Sequence, residues 1–430
     1  MYVVGASLEQ HGAAGQSGQS RYGYAPLSAV NWANELDAAR IFDSNVLVRN
    51  GSYPYFNPPT NYAQSGSGWA LQGGGTRPSI VEQIDALLIV LAAAPVGSRI
   101  AYLTGGRNEI DTITVEEYMV HFNREYARLL PVSDLVAVPL LWLRSTSSGG
   151  SWVSGGSSRQ KLLDINAAIA ATVAGNPKTI LVNLLDVVNE ATGDRNPKAG
   201  YTQSDGIHFS AIGAKAAGAA IRAAIISRLT IKSFGGFGTN IALPLSGTGG
   251  SLTNAIGVAA DGYSLVRAGA GPTVEGSKDG NVQVVTVTRA ASHTPVWSGF
   301  SFTLPDTGRI SVPAGGKYRA RAKIVIEPTA VPVSLAFFMS EFISTTVVQR
   351  AVGRWHMVAG GETPTEASSA ASMQNIDATN GLTLWVETPD LSILSSGVNI
   401  TLATYLQVAT QQGAAATVVT RIENLEITAA

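Results

Sequence analysis

At 430 residues the chain is too long for one ordinary hydrophobic core, so two domains are expected. A composition of 45% hydrophobic and 14% charged residues is too apolar for a disordered chain. The formal net charge of -1, without a block of Lys and Arg, argues against nucleic-acid binding, and the absence of cysteine excludes disulfides, thiolate metal sites and cysteine nucleophiles.

Up to about residue 229, short apolar runs alternate with longer helical runs, a pattern typical of a parallel sheet covered by helices on both faces. The predicted strands comprise residues 2–4, 44–48, 99–104, 135–141 and 179–184. Three helix starts have the spacing of a capping box: Ser79 with Glu82, Thr114 with Glu117, and Ser157 with Gln160. Gly175 fits a helix C-terminus, and an Ala-rich last helix should start after Ser210 and run to about Arg228.

The sequence changes character beyond residue 232, where Gly-rich segments separate alternating runs. Runs with the period and composition of strands comprise residues 282–287, 317–326, 333–338, 383–387, 400–408 and 418–427. We therefore predict an α/β domain over residues 1–232 and an all-β, jelly-roll-like sandwich domain over residues 233–430.

The N-terminus lacks the basic and apolar regions of a signal peptide, and strand-like residues follow Met1 almost at once. We expect the native gene to extend upstream of Met1. Because no apolar run approaches the length of a membrane span, we expect a soluble protein.

Ser7 lies at the end of the first predicted strand. A nucleophilic serine is best held at a sharp turn between a strand and a helix, where backbone N–H groups can receive a developing oxyanion. Residues 3–8, Val-Val-Gly-Ala-Ser-Leu, fit a buried strand that enters such a turn at the carboxyl edge of the sheet. A small-residue turn of this kind is more often structural than catalytic, so Ser7 alone is a weak signal.

Asp205 and His208 lie three residues apart in a loop before the last helix. A serine hydroxyl needs a base, and a histidine base needs a carboxylate on its other nitrogen, so this pair could supply both groups. The same spacing equally fits a loop histidine with a local hydrogen bond. After the predicted strand 99–104, Asn108 could donate its amide to an oxyanion or merely cap the next helix.

These three elements, in this order, resemble the SGNH (GDSL-like) hydrolase family over residues 1–229. The resemblance implies a three-layer α/β/α domain with a parallel sheet. It also implies that Ser7 is the nucleophile and first oxyanion donor, Asn108 the side-chain donor, His208 the general base, and Asp205 its orienting partner.

The family's glycine oxyanion donor is matched to Gly66, because residues 61–66, Asn-Tyr-Ala-Gln-Ser-Gly, resemble the family's pattern. Gly51, closer to the predicted second strand, and Gly68 are the alternatives.

Two positions depart from the family pattern: Ala6 replaces the Asp before the serine, and Glu109 replaces the Asp after the asparagine. Neither change removes a group that performs chemistry. Without the first aspartate, however, we expect another group, Glu9 or Gln10, to orient Ser7.

Of the other histidines, His293 and His356 lie in the second domain and have no cysteine and no ligand-spaced cluster of His, Asp or Glu beside them. His11 and His121 lie in the first domain, and His121 has Glu117 and Glu125 at helical spacing. We expect His11 in a solvated loop and His121 on a helix surface. We expect neither a metal nor another cofactor.

Exposed aromatic rings could stack on sugar rings. The candidates in the second domain are Tyr263, Trp297, Trp355 and Trp385, although large aromatics in a sandwich are more often core. In the first domain, the loops after the second and fourth predicted strands bring candidates to line the cleft: Trp69, Trp142, Arg144 and Trp152.

Residues 247–250 and 259–263, which open the second domain, and its closing strand 421–427 resemble jelly-roll carbohydrate-binding modules and phage tail proteins. The leading hypothesis is a serine esterase that removes acetyl groups from a polysaccharide, extracellular or virion-associated, as in a phage or prophage tail protein. The alternatives are a general short-chain carboxylesterase or lipase-like hydrolase, and a catalytically inactive glycan-binding adhesin. A homo-oligomer would suit a tail protein, but no coiled-coil heptads support it.

Overall fold

The computed structural model describes residues 1–6, 9, 29–38, 41, 62–64, 66–75, 77–97, 99–229, 238–290, 297–354, 376–396, 399–411 and 415–430. These residues form two compact units. The first contains residues 1–6, 9, 29–34, 41 and the described residues from 62 to 229, and the second contains residues 35–38 and the described residues from 238 to 430. The predicted boundary at 232/233 lies outside the described residues.

The first unit contains a parallel sheet with the strand order β1-β2-β3-β4. The strands are β1 (Tyr2–Val4), β2 (Ile100–Leu103), β3 (Leu135–Pro139) and β4 (Thr179–Val182). The helices in the described part of the chain are α1 (Ala29–Glu35), α2 (Ile80–Ala93), α3 (Val115–Leu129), α4 (Ser157–Val173), α5 (Leu184–Val188) and α6 (Ala211–Ile226). The sequence therefore predicted a mixed α/β unit with a parallel sheet correctly.

The core of this unit follows the two-residue period of side chains along its strands. Alternate strand residues, among them Val4, Ala101, Leu103, Val136 and Val138, are buried in one cluster with apolar residues of α2, α3 and α4. Helix α6 contacts β4 and packs against α1. None of the described helices is both long enough and apolar enough to cross a membrane.

The strand predictions are confirmed for four of the five segments, and residues 44–48 lie outside the described residues. Strand β3 ends before Leu141, whose backbone N–H and C=O are both bound by the buried side chain of Asn166. Strand β4 ends before Asn183, whose side chain accepts the Asp186 N–H and so starts α5.

The capping boxes at the starts of α2 and α3 are confirmed, and Ser210 caps α6 by accepting the Gly213 N–H at 3.1 Å. The prediction that Ser157 caps α4 is wrong, because Ser157 is the first helical residue and Gly156 is the N-cap, without a side-chain bond. A Cβ at Gly156 would lie 2.2 Å from the Ser151 carbonyl oxygen. This close packing against the preceding turn moves the cap to the glycine.

The second unit is all-β in its described residues from 238 onward, apart from a single 3₁₀ turn. Its strands are β5 (Gly249–Thr253), β6 (Ile256–Gly257), β7 (Ala259–Ala268), β8 (Thr273–Asp279), β9 (Val282–Arg289), β10 (Trp297–Thr303), β11 (Ile310–Ser311), β12 (Lys317–Ile326), β13 (Val333–Ile343), β14 (Thr346–Arg354), β15 (Leu382–Glu387), β16 (Leu391–Ser392), β17 (Ile400–Gln411) and β18 (Ala416–Ala429). All six predicted runs fall within these strands.

The described strands of this unit form two seven-stranded sheets. One has the order β14-β13-β17-β10-β7-β5 with β11 on β17, and the other has the order β15-β12-β18-β9-β8-β6 with β16 on β12. Neighbours are antiparallel except for the pairs β5/β7 and β6/β8. Burial alternates along β12, as expected for a sheet with one face in a core. The jelly-roll class stays a prediction.

Candidate active site

The chain leaves β1 through Gly5 and Ala6, and Ser7 itself lies outside the described residues. The buried amide of Gln83 on α2 binds Gly5 on both sides: it accepts the Gly5 N–H at 3.0 Å and donates to the Gly5 carbonyl at 3.1 Å. The Gln64 N–H also donates to the Gly5 carbonyl at 3.1 Å. Gln83 was missed in the sequence, although a glutamine on the apolar face of α2, next to Ile84, was a visible signal.

The Glu9 carboxylate binds the backbone of the segment that follows β1. Its Oε2 accepts the Ala6 N–H at 2.9 Å. A Cβ at Gly5 would lie 2.6 Å from the same oxygen, so only glycine fits there. Burial raises the pKa of Glu9 to about 7, although the N–H groups of Ala6 and Glu9 and the charge of Arg107 act in the opposite direction.

Asp205 and His208 form a hydrogen-bonded pair. The His208 Nδ1 lies 2.6 Å from the Asp205 Oδ2, and the Asp205 Oδ1 accepts the N–H groups of Ile207 and His208 at 2.8 and 3.0 Å. Partial burial acts to raise the pKa of Asp205, but the hydrogen bonds from His208 and the two backbone N–H groups outweigh it and lower the pKa to about 2. The aspartate is therefore an anion at neutral pH.

The loop that carries this pair is bound to the segment after β3. The Ser145 N–H donates to the Gly206 carbonyl at 3.1 Å, and the Trp142 Nε1 donates to the Ile207 carbonyl at 3.3 Å. Gly206 has φ 66°, and a Cβ there would lie 2.6 Å from the Ser145 Cβ. The ring of Trp142 stacks on Phe209 with centroids 4.3 Å apart. These contacts hold His208 at a defined position.

Asn108 follows β2 in a short 3₁₀ turn, Arg107–Glu109, and its side chain is exposed. Its Nδ2 donates to the Ser67 carbonyl at 2.8 Å, which joins it to the turn that contains Gly66 and Gly68. The sequence-predicted side-chain donor and two of the three glycine candidates therefore lie side by side.

The two glycines in this turn have different surroundings. Within the described residues the Gly66 N–H has no hydrogen-bond partner, and Gly66 has φ 82°. The Gly68 N–H donates to the Leu71 carbonyl at 2.9 Å, and a Cβ at Gly68 would lie 2.2 Å from the Glu109 carboxyl carbon. Gly66 has an N–H to offer a ligand, whereas Gly68 serves packing. Gly51 lies outside the described residues.

Glu109, which stands where the family pattern has an aspartate, binds the loop after Gly68. Its two oxygens accept the N–H groups of Trp69 at 2.7 Å and Leu71 at 3.2 Å. The longer carboxylate therefore acts as a support for the glycine turn.

Arg107 is a further residue that the sequence analysis missed, although it lies between Gly106 and Asn108 in the motif. Its side chain is buried, and its guanidinium lies over the Trp142 ring at 4.3 Å. None of its guanidinium nitrogens has a hydrogen-bond partner within the described residues. Burial lowers the pKa of Arg107 to about 9, and Arg144 acts in the same direction, whereas Glu9 and Asp205 oppose both.

The expectation that Trp69, Trp142 and Trp152 line a cleft is wrong, because all three side chains are buried. Trp69 packs against aromatic rings of α3, and Trp142 lies between Phe209 and the Arg107 guanidinium. Arg144, which is half-buried, lies over Trp152 at 4.6 Å. These rings support the loops around the site from beneath and offer no open face for stacking on a sugar.

Among the aromatics proposed for the second domain, Tyr263 is buried and stacks on Phe302. The half-buried ring of Trp385 has Arg321 and Lys323 at 4.6 and 5.6 Å from its centroid. The side chain of Trp297 and the whole of Trp355 lie outside the described residues.

His121 is half-buried and lies parallel to Trp69 at 6.4 Å, so the expectation of a plain surface position is wrong. The remaining histidines of the sequence, His11, His293 and His356, lie outside the described residues. No group of three or more His, Cys, Asp or Glu within the described part of the chain is arranged to hold a metal ion.

No family model and no curated protein matches the chain. Solved structures to which it is similar include a member of the lipolytic protein G-D-S-L family from Veillonella parvula (13% identity, 53% of this chain and 98% of that chain, TM-score 0.35). Another is a carbohydrate esterase family 3 protein from Talaromyces cellulolyticus (16% identity, 43% of this chain and 78% of that chain, TM-score 0.28). A third is the enzymatically active domain of tailspike protein 4 from bacteriophage CBA120 (10% identity, 40% of this chain and 20% of that chain, TM-score 0.23). All three TM-scores are below 0.5, so the functional argument rests on the site residues.

Proposed function

We propose that this chain is a serine ester hydrolase of the SGNH type, in which Ser7 is the nucleophile, His208 the general base and Asp205 its orienting partner. The observation that supports this most strongly is the 2.6 Å contact between the His208 Nδ1 and the Asp205 carboxylate. It leaves the other ring nitrogen, Nε2, as the one that can take a proton. A merely local hydrogen bond between these two residues would not account for Asn108 or for the Gly66 N–H, which has no hydrogen-bond partner among the residues that the structure describes.

In this proposal the reaction proceeds through an acyl-enzyme. The Nε2 of His208 takes the proton from the Ser7 hydroxyl while the serine oxygen attacks the ester carbonyl carbon, and the alcohol leaves with that proton. A water molecule, activated by the same nitrogen, then attacks the acyl-enzyme and releases the acid. The anionic Asp205 stabilises the imidazolium in both steps, which is consistent with its low pKa.

The oxyanion is stabilised, in the same proposal, by the N–H groups of Ser7 and Gly66 and by the Asn108 amide. Asn108 donates one N–H to Ser67 and retains the second N–H of its amide for a substrate. The preference for Gly66 over Gly68 is supported by the hydrogen bond from the Gly68 N–H to Leu71. Donors held in place before the reaction cost no reorganisation when the charge develops.

We extend the proposal to O-deacetylation of a carbohydrate by a two-domain protein, with the catalytic domain over residues 1–232 and a jelly-roll-like domain over residues 233–430. The support is the all-β second unit joined to the α/β unit, together with its sequence resemblance to carbohydrate-binding and tail modules. An extracellular or virion-associated location and a homo-oligomeric state accompany this proposal. The short-chain carboxylesterase alternative predicts equal turnover of esters with and without a sugar.

The proposal is tested with p-nitrophenyl acetate and a fluorophosphonate probe on the full chain. The Ser7→Ala variant should lose turnover and covalent labelling while it keeps the circular dichroism spectrum of the wild type. Ser277→Ala, at an exposed position in β8, is the matched control and should keep both activities. Turnover or labelling that survives in Ser7→Ala would show that another residue is the nucleophile.

The substrate class is tested by acetate release from a panel of acetylated polysaccharides, compared with hydrolysis of butyrate and longer-chain esters. Preference for acetylated glycans supports the carbohydrate esterase. Faster hydrolysis of simple esters with no glycan preference supports the general carboxylesterase.

A further inference from the structure

Two buried side chains bind the backbone of the two residues that precede the proposed nucleophile. Gln83, on α2, binds the N–H and carbonyl of Gly5, and Glu9, three residues after Ala6, accepts the Ala6 N–H at 2.9 Å. The bond from Glu9 spans the segment that contains Ser7. The Glu9 carboxyl also packs against Gly5, where an added Cβ would lie 2.6 Å from its Oε2.

Arg107 supplies a positive charge that acts on the Glu9 carboxyl. It is buried and electrostatically coupled to Glu9 and to Asp205, the carboxylate that binds His208. A buried charge is costly unless an opposite charge compensates it. The positive charge of Arg107 is therefore favoured by the negative charges of both Glu9 and Asp205.

We infer that Glu9 is the positioning residue of the nucleophile segment, in the role that an aspartate before the serine would have had, and that the charge of Arg107 favours the ionised form of Glu9. The inference rests on the proposed function. Glu9 contacts the backbone of the segment through the Ala6 N–H and takes no part in the proposed proton transfers.

A consequence is that activity depends on the ionisation of Glu9. Within the described part of the chain, the groups that interact with the charge of Glu9 include its own N–H and the Ala6 N–H, Arg107 from the turn after β2, Tyr102 from β2 and Tyr118 from α3. Burial raises the pKa of both tyrosines, so they stay neutral.

The pKa of Glu9 is about 7, so the carboxyl changes its charge in the neutral range. An ionised carboxylate accepts an N–H more strongly than a neutral carboxyl group does. Protonation loosens the Ala6 contact and removes a counter-charge of Arg107, so the rate should fall as the pH falls through the neutral range.

The inference is tested with the full-length variants Glu9→Gln and Arg107→Met in p-nitrophenyl acetate hydrolysis across the acid limb. In Glu9→Gln, kcat should fall about tenfold with KM nearly unchanged, the loss expected for one charge-assisted hydrogen bond. The acid limb should become less steep, because residue 9 no longer takes up a proton. In Arg107→Met, the limb should move to higher pH, because removal of the positive charge makes Glu9 harder to ionise. Glu82→Gln, an exposed change on α2, should leave kcat and the acid limb unchanged.

Three outcomes are decisive. A wild type that is active and labelled by the fluorophosphonate, with Glu9→Gln and Arg107→Met matching it in kcat and pH profile, overturns this inference and leaves the proposed function standing. A wild type that is neither active nor labelled overturns both. If Glu9→Gln does not fold, the pH–rate profile of Arg107→Met tests the inference instead. A shift of its acid limb to higher pH supports the inference, and an unchanged acid limb overturns it.

Discussion

Replacement of the buried Glu9 by glutamine should change how the stability of the protein depends on pH. Burial raises the pKa of Glu9 from its ordinary 4.5 to about 7. Between these values the folded protein keeps a proton that the unfolded chain releases, so stability falls as pH rises from about 4.5 to about 7 and stays lower above it. A difference of one in pKa corresponds to about 1.4 kcal/mol, so the full loss is about 3 kcal/mol.

The free energy of unfolding is measured by urea titration of the full chain at about pH 5 and about pH 8, followed by tryptophan fluorescence. Relative to Glu9→Gln, the wild type should lose about 2.5 kcal/mol between these pH values, because glutamine accepts the Ala6 N–H without ionising. The comparison cancels the contributions of the other titrating groups.

Glu82→Gln is the control for this measurement, and it should behave like the wild type in this range. Hydrogen bonds from Ser79 lower the pKa of Glu82, so its contribution is present above the ordinary pKa of 4.5 and is lost only in more acidic solution. Parallel changes of the wild type and Glu9→Gln, within about 0.5 kcal/mol, would refute the reasoning from burial.

Four further substitutions test the site and the fold. Asn108→Ala should lower kcat by about 10²-fold with KM little changed, as measured by steady-state kinetics, because one oxyanion donor is lost. Asp205→Asn should lower kcat by about 10³-fold or more in the same assay, since the imidazolium loses its counter-charge. The low pKa of Asp205 also stabilises the folded wild type. This contribution should disappear only as the pH falls from the ordinary pKa of 3.8 toward about 2, which acid titration of the wild type can follow. Gly68→Ala should destabilise the protein by about 1–3 kcal/mol in thermal unfolding, because its Cβ would meet the Glu109 carboxyl carbon at 2.2 Å. Ser79→Ala should cost about 1 kcal/mol in the same assay through loss of the α2 cap, and an unchanged Tm would contradict the capping argument.

Local signals predicted much of the first unit. The starts of α2 and α3 followed from Ser79 and Thr114, because a capping box is completed by residues three apart. The hydrogen bond between Asp205 and His208 was likewise predictable, since a short loop brings side chains at this spacing together. The start of α4 was not predictable in this way. It depends on the close packing of Gly156 against the turn 150–152, which the capping-box pattern does not include.

The choice among the glycines needed the tertiary structure. Gly66 and Gly68 look alike in the sequence, and they differ because Glu109, about 40 residues later, fills the space beside Gly68. The burial of the tryptophans was likewise not predictable from the sequence alone. Trp69 and Trp142 follow predicted strands where a cleft was expected, yet both are buried, because rings from α3 and from the loop between α5 and α6 cover them.

The sequence by itself determined the alternation of strands and helices, the all-β second unit and the spacing of the proposed catalytic pair, since each depends on residues that are close along the chain. The assignment of Ser7 stays a prediction. Only the tertiary structure decided that Glu9 binds Ala6, that Gln83 binds Gly5 and that Arg107 is buried over the Trp142 ring. The physical reason is that hydrogen bonding, burial and charge at these positions arise from segments that are distant in sequence and meet only when the sheet has formed.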